Sequence, residues 1–119
     1  MNAINFVKEL RHFILGQDQY KKQLDELDMS KVKDEFWLSA LRFYRNLDSE
    51  SQEIFISIIR QIKADTTSLI LGILDGTMIL ENQEEDFYLG IKGKKDPING
   101  ELQQIFLGFE EDNEWDSYV

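Results

Sequence analysis

Residues 77–92 read TMILENQEEDFYLGIK, and this stretch decides whether the chain is all-α or α+β. Thr77 to Leu80 is a short β-branched and apolar run. Residues 81–86 are polar, and from Phe87 to Lys92 aromatic or aliphatic residues alternate around Gly90. Two antiparallel strands, about 77–80 and 86–92, joined across Asn82, Gln83, Glu84 and Glu85, account for both segments. A lone hairpin is marginal in water, so this one is expected to pack on helices or to pair with another chain.

On the N-terminal side the periodicity is helical. Phe6, Val7, Leu10, Phe13 and Ile14 recur at spacings of three and four, and Tyr20, Leu24 and Leu27 continue that face beyond Gly16. The reading is a helix over about 3–27, either continuous at a cost of about 1 kcal/mol for the glycine or jointed there. Ser30 is a candidate cap for a second helix over about 31–46, with Val32, Phe36, Trp37, Ala40, Leu41, Tyr44 and Leu47 on its apolar face. Ser49 and Gln52 fit a capping box that opens a third helix over about 50–74. Its stripe is Phe55, Ile58, Ile59, Ile62, Thr66, Leu69, Ile70 and Ile73. Beyond the hairpin, Leu102, Ile105, Phe106 and Phe109 mark a short helix over about 99–109, followed by an acidic tail over 110–119. The expected fold is therefore α+β and predominantly helical: three longer helices, a short C-terminal helix and one β-hairpin in a single domain.

Charge is unevenly spread along the 119 residues. Residues 1–48 hold eight Lys/Arg against eight Asp/Glu, and residues 49–119 hold five against fifteen, so the whole net charge of -10 lies in the second part. Phosphate backbones and anionic bilayers are poor partners for such a surface. No nucleic acid and no membrane are therefore expected, and a basic protein is the favoured partner. Cysteine is absent, which removes disulfides, thiolate metal sites and thiol nucleophiles. The start of the chain lacks a basic region followed by an apolar run, and cytoplasmic placement is the expectation.

Motifs for chemistry are sparse. His12 is the single histidine and lies beside an apolar stripe, so a structural role is expected and no zinc site can be assembled around it. Glu81, Glu84, Glu85 and Asp86 offer hard oxygen ligands but lack the spacing of a calcium loop. Lys92, Lys94 and Lys95 lie near Gly90 and Gly93 without the phosphate-loop pattern. No serine sits in a nucleophile elbow. The hydroxyls of the polar insertion at 65–68 are expected to bond to carbonyls one turn earlier. Asp65, Asp75 and Asp86 are the alternative, a small polar cleft. No catalytic residue, metal or cofactor is assigned.

Two aromatic residues set the tail apart. Glu110, Glu111, Asp112, Glu114, Trp115, Asp116 and Tyr118 combine like charge with interface-type anchors, and form the candidate docking segment for a basic partner. In size, acidity and lack of catalytic motifs the chain loosely resembles the bacterial immunity proteins that block partner toxins. That resemblance is one of general character and assigns no residues; it implies a non-enzymatic interaction module, immunity-like or regulatory. The alternatives are a small enzyme or ligand-binding protein that uses carboxylates, and a self-associating structural protein. The stripes of the second and third helices are wide enough to leave an apolar strip for a homodimer.

Overall fold

A computed structural model describes residues 1–112 of the chain. The elements are α1 (Ala3–Leu15), α2 (Gln19–Glu26), a 3-10 turn (Met29–Lys31), α3 (Glu35–Arg45), α4 (Ser49–Asp75) and α5 (Leu102–Glu111). The described residues contain no β-strand, so the fold is all-helical and the expected α+β class with its hairpin is overturned. Two compact units divide the chain. One comprises Gln17–Ile62, and the other comprises Met1–Gly16 together with the chain from Lys63 onward.

In the Gln17–Ile62 unit, buried Leu24, Leu41 and Tyr44 form the core, flanked by Met29, Val32, Trp37, Leu47, Phe55, Ile56 and Ile59. Carboxylates set the helix starts. Asp34 accepts from the Trp37 amide at 3.1 Å and caps α3. Asp48 accepts from the Ser51 amide at 2.7 Å at the start of α4, where the sequence suggested a box of Ser49 and Gln52. Gln52 instead donates to the Tyr44 carbonyl at 3.1 Å. Of the two readings of the helix expected over 3–27, the jointed one is found, with Gly16 the C-cap of α1, and the carbonyls that end α2 are held from α3. The Arg45 guanidinium donates to the Leu24 carbonyl at 2.9 Å and to that of Leu27. A cation there also opposes the negative end of the helix dipole.

The second unit is built from α1, the end of α4, the segment 76–101 and α5. Val7, Ala64, Leu71, Leu102, Phe106 and Phe109 are its buried core. Here α4 turns Ala64, Thr67, Leu71 and Gly72 inward, while Leu69 and Ile70 face solvent. The Thr67 hydroxyl donates to the Lys63 carbonyl one turn earlier at 2.7 Å, which satisfies it within the helix. Gly76 ends α4 in the left-handed region (φ +83°), which costs glycine nothing. On α1, Arg11 is buried and meets Glu110 of α5, with Nη2 and Oε2 2.7 Å apart. Phe13, two residues on and therefore on another face, is exposed.

Candidate functional site

The segment that was expected to be a hairpin is a long ordered loop. Twenty-six residues, 76–101, separate α4 from α5 without helix or strand. Loops of that length in compact proteins are uncommon and tend to carry function. What holds this one is side-chain bonding to the backbone. Asn99 is central: its Oδ1 accepts from the Leu89 amide at 2.9 Å, and its Nδ2 donates to the carbonyls of Leu74 at 2.5 Å and Phe87 at 2.8 Å. One amide group thus ties both arms of the loop to the end of α4. Beside it, the Ile98 amide donates to the Leu89 carbonyl at 2.8 Å.

Asp75 anchors the far end. Its carboxylate accepts from the amides of Gly100 at 2.6 Å and Gln103 at 2.7 Å, and so caps the N-terminus of α5 from the C-terminus of α4. Glu101, the residue at the N-cap position itself, makes no capping bond through its side chain. These bonds explain the missing strands. The backbone groups of 87 and 89 that a hairpin ladder would use are taken by Asn99, and the Leu80 amide is taken by Gln83 Oε1 at 3.1 Å. Side-chain bonding of this kind competes directly with ladder formation.

Residues 78–88 project from this frame as a lobe. Gln83 folds its tip, donating also to the Glu85 carbonyl at 2.8 Å. Tyr88 stacks its ring over Gly90, where a Cβ would lie 2.6 Å from the ring, and its hydroxyl donates to the Lys95 carbonyl at 2.9 Å. Around that tip Met78, Ile79, Leu80, Phe87 and Tyr88 are all exposed, Ile79 and Tyr88 at 63% each. Glu81, Glu84, Glu85 and Asp86 stand among them with no Lys or Arg between 78 and 88. Together with Leu80 and Phe87 these acids line an open hollow of about 530 Å³. The lobe is an ordered surface of apolar side chains set in negative charge.

The other sequence candidates are placed as follows. Asp86 lines that hollow, which contains neither Asp65 nor Asp75; Asp65 lies on an exposed turn of α4 and Asp75 is bound to α5. Glu110 and Glu111 are the last residues of α5 and Asp112 is its C-cap. Glu110 turns inward to Arg11. Glu114, Trp115, Asp116 and Tyr118 lie outside the described residues. Sequence reasoning missed Asn99 and Arg11. Asn99 precedes Gly100 in a turn-like stretch after Pro97, and Arg11 sits four residues after core Val7; those are the signals that were there to find.

A polar cleft in the Gln17–Ile62 unit is lined by Asp18, Lys21, Asp25, Tyr44, Gln52 and Glu53 among others. Burial and the neighbouring Asp25 carboxylate push the Tyr44 phenol up, which keeps it protonated. The Lys21 ammonium, 2.7 Å away, holds Asp25 below its ordinary value. A general base poised near neutrality requires the opposite shifts. Among the described residues no three His, Cys, Asp or Glu converge to hold a metal, and no helix is long and apolar enough to cross a membrane. Comparison with protein-family models, curated proteins and solved structures gives no match.

Proposed function

We propose that this chain is a non-enzymatic interaction module that docks on a basic protein through the lobe at 78–88, in an immunity-like or regulatory role in the cytoplasm. The observation that carries the reading is the ordered exposure of Ile79, Leu80, Phe87 and Tyr88 among four carboxylates. Aromatic and aliphatic side chains of this kind supply the anchors of an interface. The carboxylates steer encounter with a positive surface and select against acidic ones, with a smaller effect on affinity. Absence of cysteine fits a reducing compartment.

Pull-down from the native cell extract at low and moderate salt tests the proposal, with the whole chain, the Ile79→Ser/Phe87→Ser variant and a version cut after Asp112. A cut before Glu110 is unsuitable because it also removes the partner of Arg11. The purified captured protein is then titrated against each version. Support is a basic protein bound by the whole chain, weakened by salt and lost with the double variant. Unchanged binding by the double variant, or capture of nothing, refutes lobe docking. Loss only on cutting after Asp112 moves the docking to the tail.

A further inference from the structure

Asn99 is followed directly by glycine, and no other asparagine of the chain is. That pair is chemically labile. The backbone nitrogen after an asparagine can attack the side-chain Cγ and close a five-membered ring, because both reacting atoms are carried on adjoining residues. A side chain on the attacking residue hinders the approach, and glycine has none. The new N–Cγ bond displaces Nδ2, which leaves as ammonia with the proton from the Gly100 nitrogen. Water then opens the cyclic imide at one of its two carbonyls. The product is aspartate or, where the main chain now runs through the side-chain carbon, isoaspartate. One water is consumed and one ammonia released, with no oxidation or reduction.

In the folded loop the groups that this reaction must move are all held. Nδ2 donates to the carbonyls of Leu74 at 2.5 Å and Phe87 at 2.8 Å, and Oδ1 accepts from the Leu89 amide at 2.9 Å. The Gly100 N–H, whose proton must be given up, donates to Asp75 Oδ1 at 2.6 Å. Loss of Nδ2 breaks two of these bonds, so conversion waits for local opening of the loop. The converted loop cannot close again. A carboxylate still offers Leu89 an acceptor, but it has no hydrogen for either carbonyl and sets a charge against both. Isoaspartate in addition lengthens the main chain between Ile98 and Gly100 by one carbon. We infer that Asn99 and Gly100 form a self-modification site: deamidation by water, gated by opening of the 76–101 loop, that permanently releases the lobe. Release follows from the three side-chain bonds; only its consequence, loss of docking, rests on the function proposed above.

The full chain is incubated at neutral pH, folded and in concentrated urea, and conversion at each asparagine is followed by peptide mass. In urea Asn99 should convert about tenfold faster or more than Asn46 and Asn82, which precede leucine and glutamine, since only its neighbour leaves the attack unhindered. Gly100→Ala should remove that advantage; it is compared in urea because φ +132° would strain alanine in the fold. Folded, Asn99 should convert more slowly than in urea by the factor that protects the Leu89 amide from hydrogen exchange, to within about threefold, as both need the same opening. Asp75→Ala frees the Gly100 amide and should speed folded conversion about tenfold while leaving the rate in urea unchanged. Converted protein should exchange its amides at 80–98 rapidly and lose the captured basic protein. Asn99 converting no faster than Asn46 in urea overturns the site. Folded conversion as fast as in urea overturns the gating, as does Asp75→Ala converting no faster than wild type. Converted protein that keeps its protection at 80–98 overturns the release. If those amides are released and the basic protein still binds, the docking reading fails and the modification site stands.

Discussion

Replacing Asn99 by alanine should release the lobe while sparing the helices. The side chain makes three bonds to backbone groups: two are part-buried, with the Leu89 amide and the Leu74 carbonyl, and one is exposed, with the Phe87 carbonyl. A net contribution of about 1 kcal/mol for each part-buried bond and about half that for the exposed one puts the loss near 2–3 kcal/mol. The upper end applies if the Leu89 amide, already turned away from any ladder, stays without an acceptor. Asn99→Asp separates the terms. It keeps the acceptor for Leu89, removes both donors and sets a charge beside two carbonyls, so its cost should approach that of alanine despite near-identical shape. Amide hydrogen exchange by NMR is the decisive assay, because it reads the loop separately from global unfolding. In Asn99→Ala the amides of 80–98 should exchange at least tenfold faster, Leu89 most of all, while those of 38–44 in α3 keep their protection. Unchanged exchange at Leu89, with a urea midpoint shift worth under about 0.5 kcal/mol, would show that the loop is held by something other than this side chain.

Other outcomes follow from the same contacts. Asp75→Ala should lower stability by about 1–2 kcal/mol in urea melts, since two amides at the start of α5 lose a charged acceptor together; a change below 0.5 kcal/mol would remove Asp75 from the anchor. Arg11→Met alone should cost about 3–5 kcal/mol by leaving Glu110 without its guanidinium partner, and adding Glu110→Leu should recover most of it. If the double variant is no more stable than the single one, the pair is not what secures α1 to α5. Asp48 is held below its ordinary value by bonds from the Ser51 amide and hydroxyl, Asp28 by the hydroxyl and amide of Ser30, and Asp25 chiefly by Lys21. A depressed folded pKa stabilises above the unfolded value and is lost as pH falls through the folded one, so these contributions should be intact above about pH 4 and fade below it. The stability gap between wild type and Asp48→Asn, from thermal melts at each pH, should therefore shrink toward pH 2; a constant gap would refute the assigned cause.

Apolar spacing acts over one or two turns and was enough to place α3, α4 and α5 to within a few residues, although the caps read as Ser30 and Ser49 are carboxylates, Asp34 and Asp48. The sequence was also enough to locate the negative field and to exclude thiol and paired-histidine chemistry, which depend on residue type alone. The stripes of α3 and α5 include the residues that are buried there, Leu41 and Tyr44 and Leu102, Phe106 and Phe109, but the inward sides of α1 and α4 were not legible. On α1, Arg11 is buried and Phe13 exposed, although the stripe pointed to the reverse; only α5 supplies the Glu110 that makes an inward arginine tolerable. On α4, Ala64, Thr67, Leu71 and Gly72 are buried and Ile62, Leu69 and Ile70 of the expected stripe are not, since burial depends on what approaches the helix and not on the size of its own side chains. The fate of residues 77–92 shows the same limit most clearly. Their β propensity is real, but a ladder requires free backbone partners. Asn99, ten residues after Leu89 and twenty-five after Leu74, takes those partners in space, and no window along the chain contains that competition.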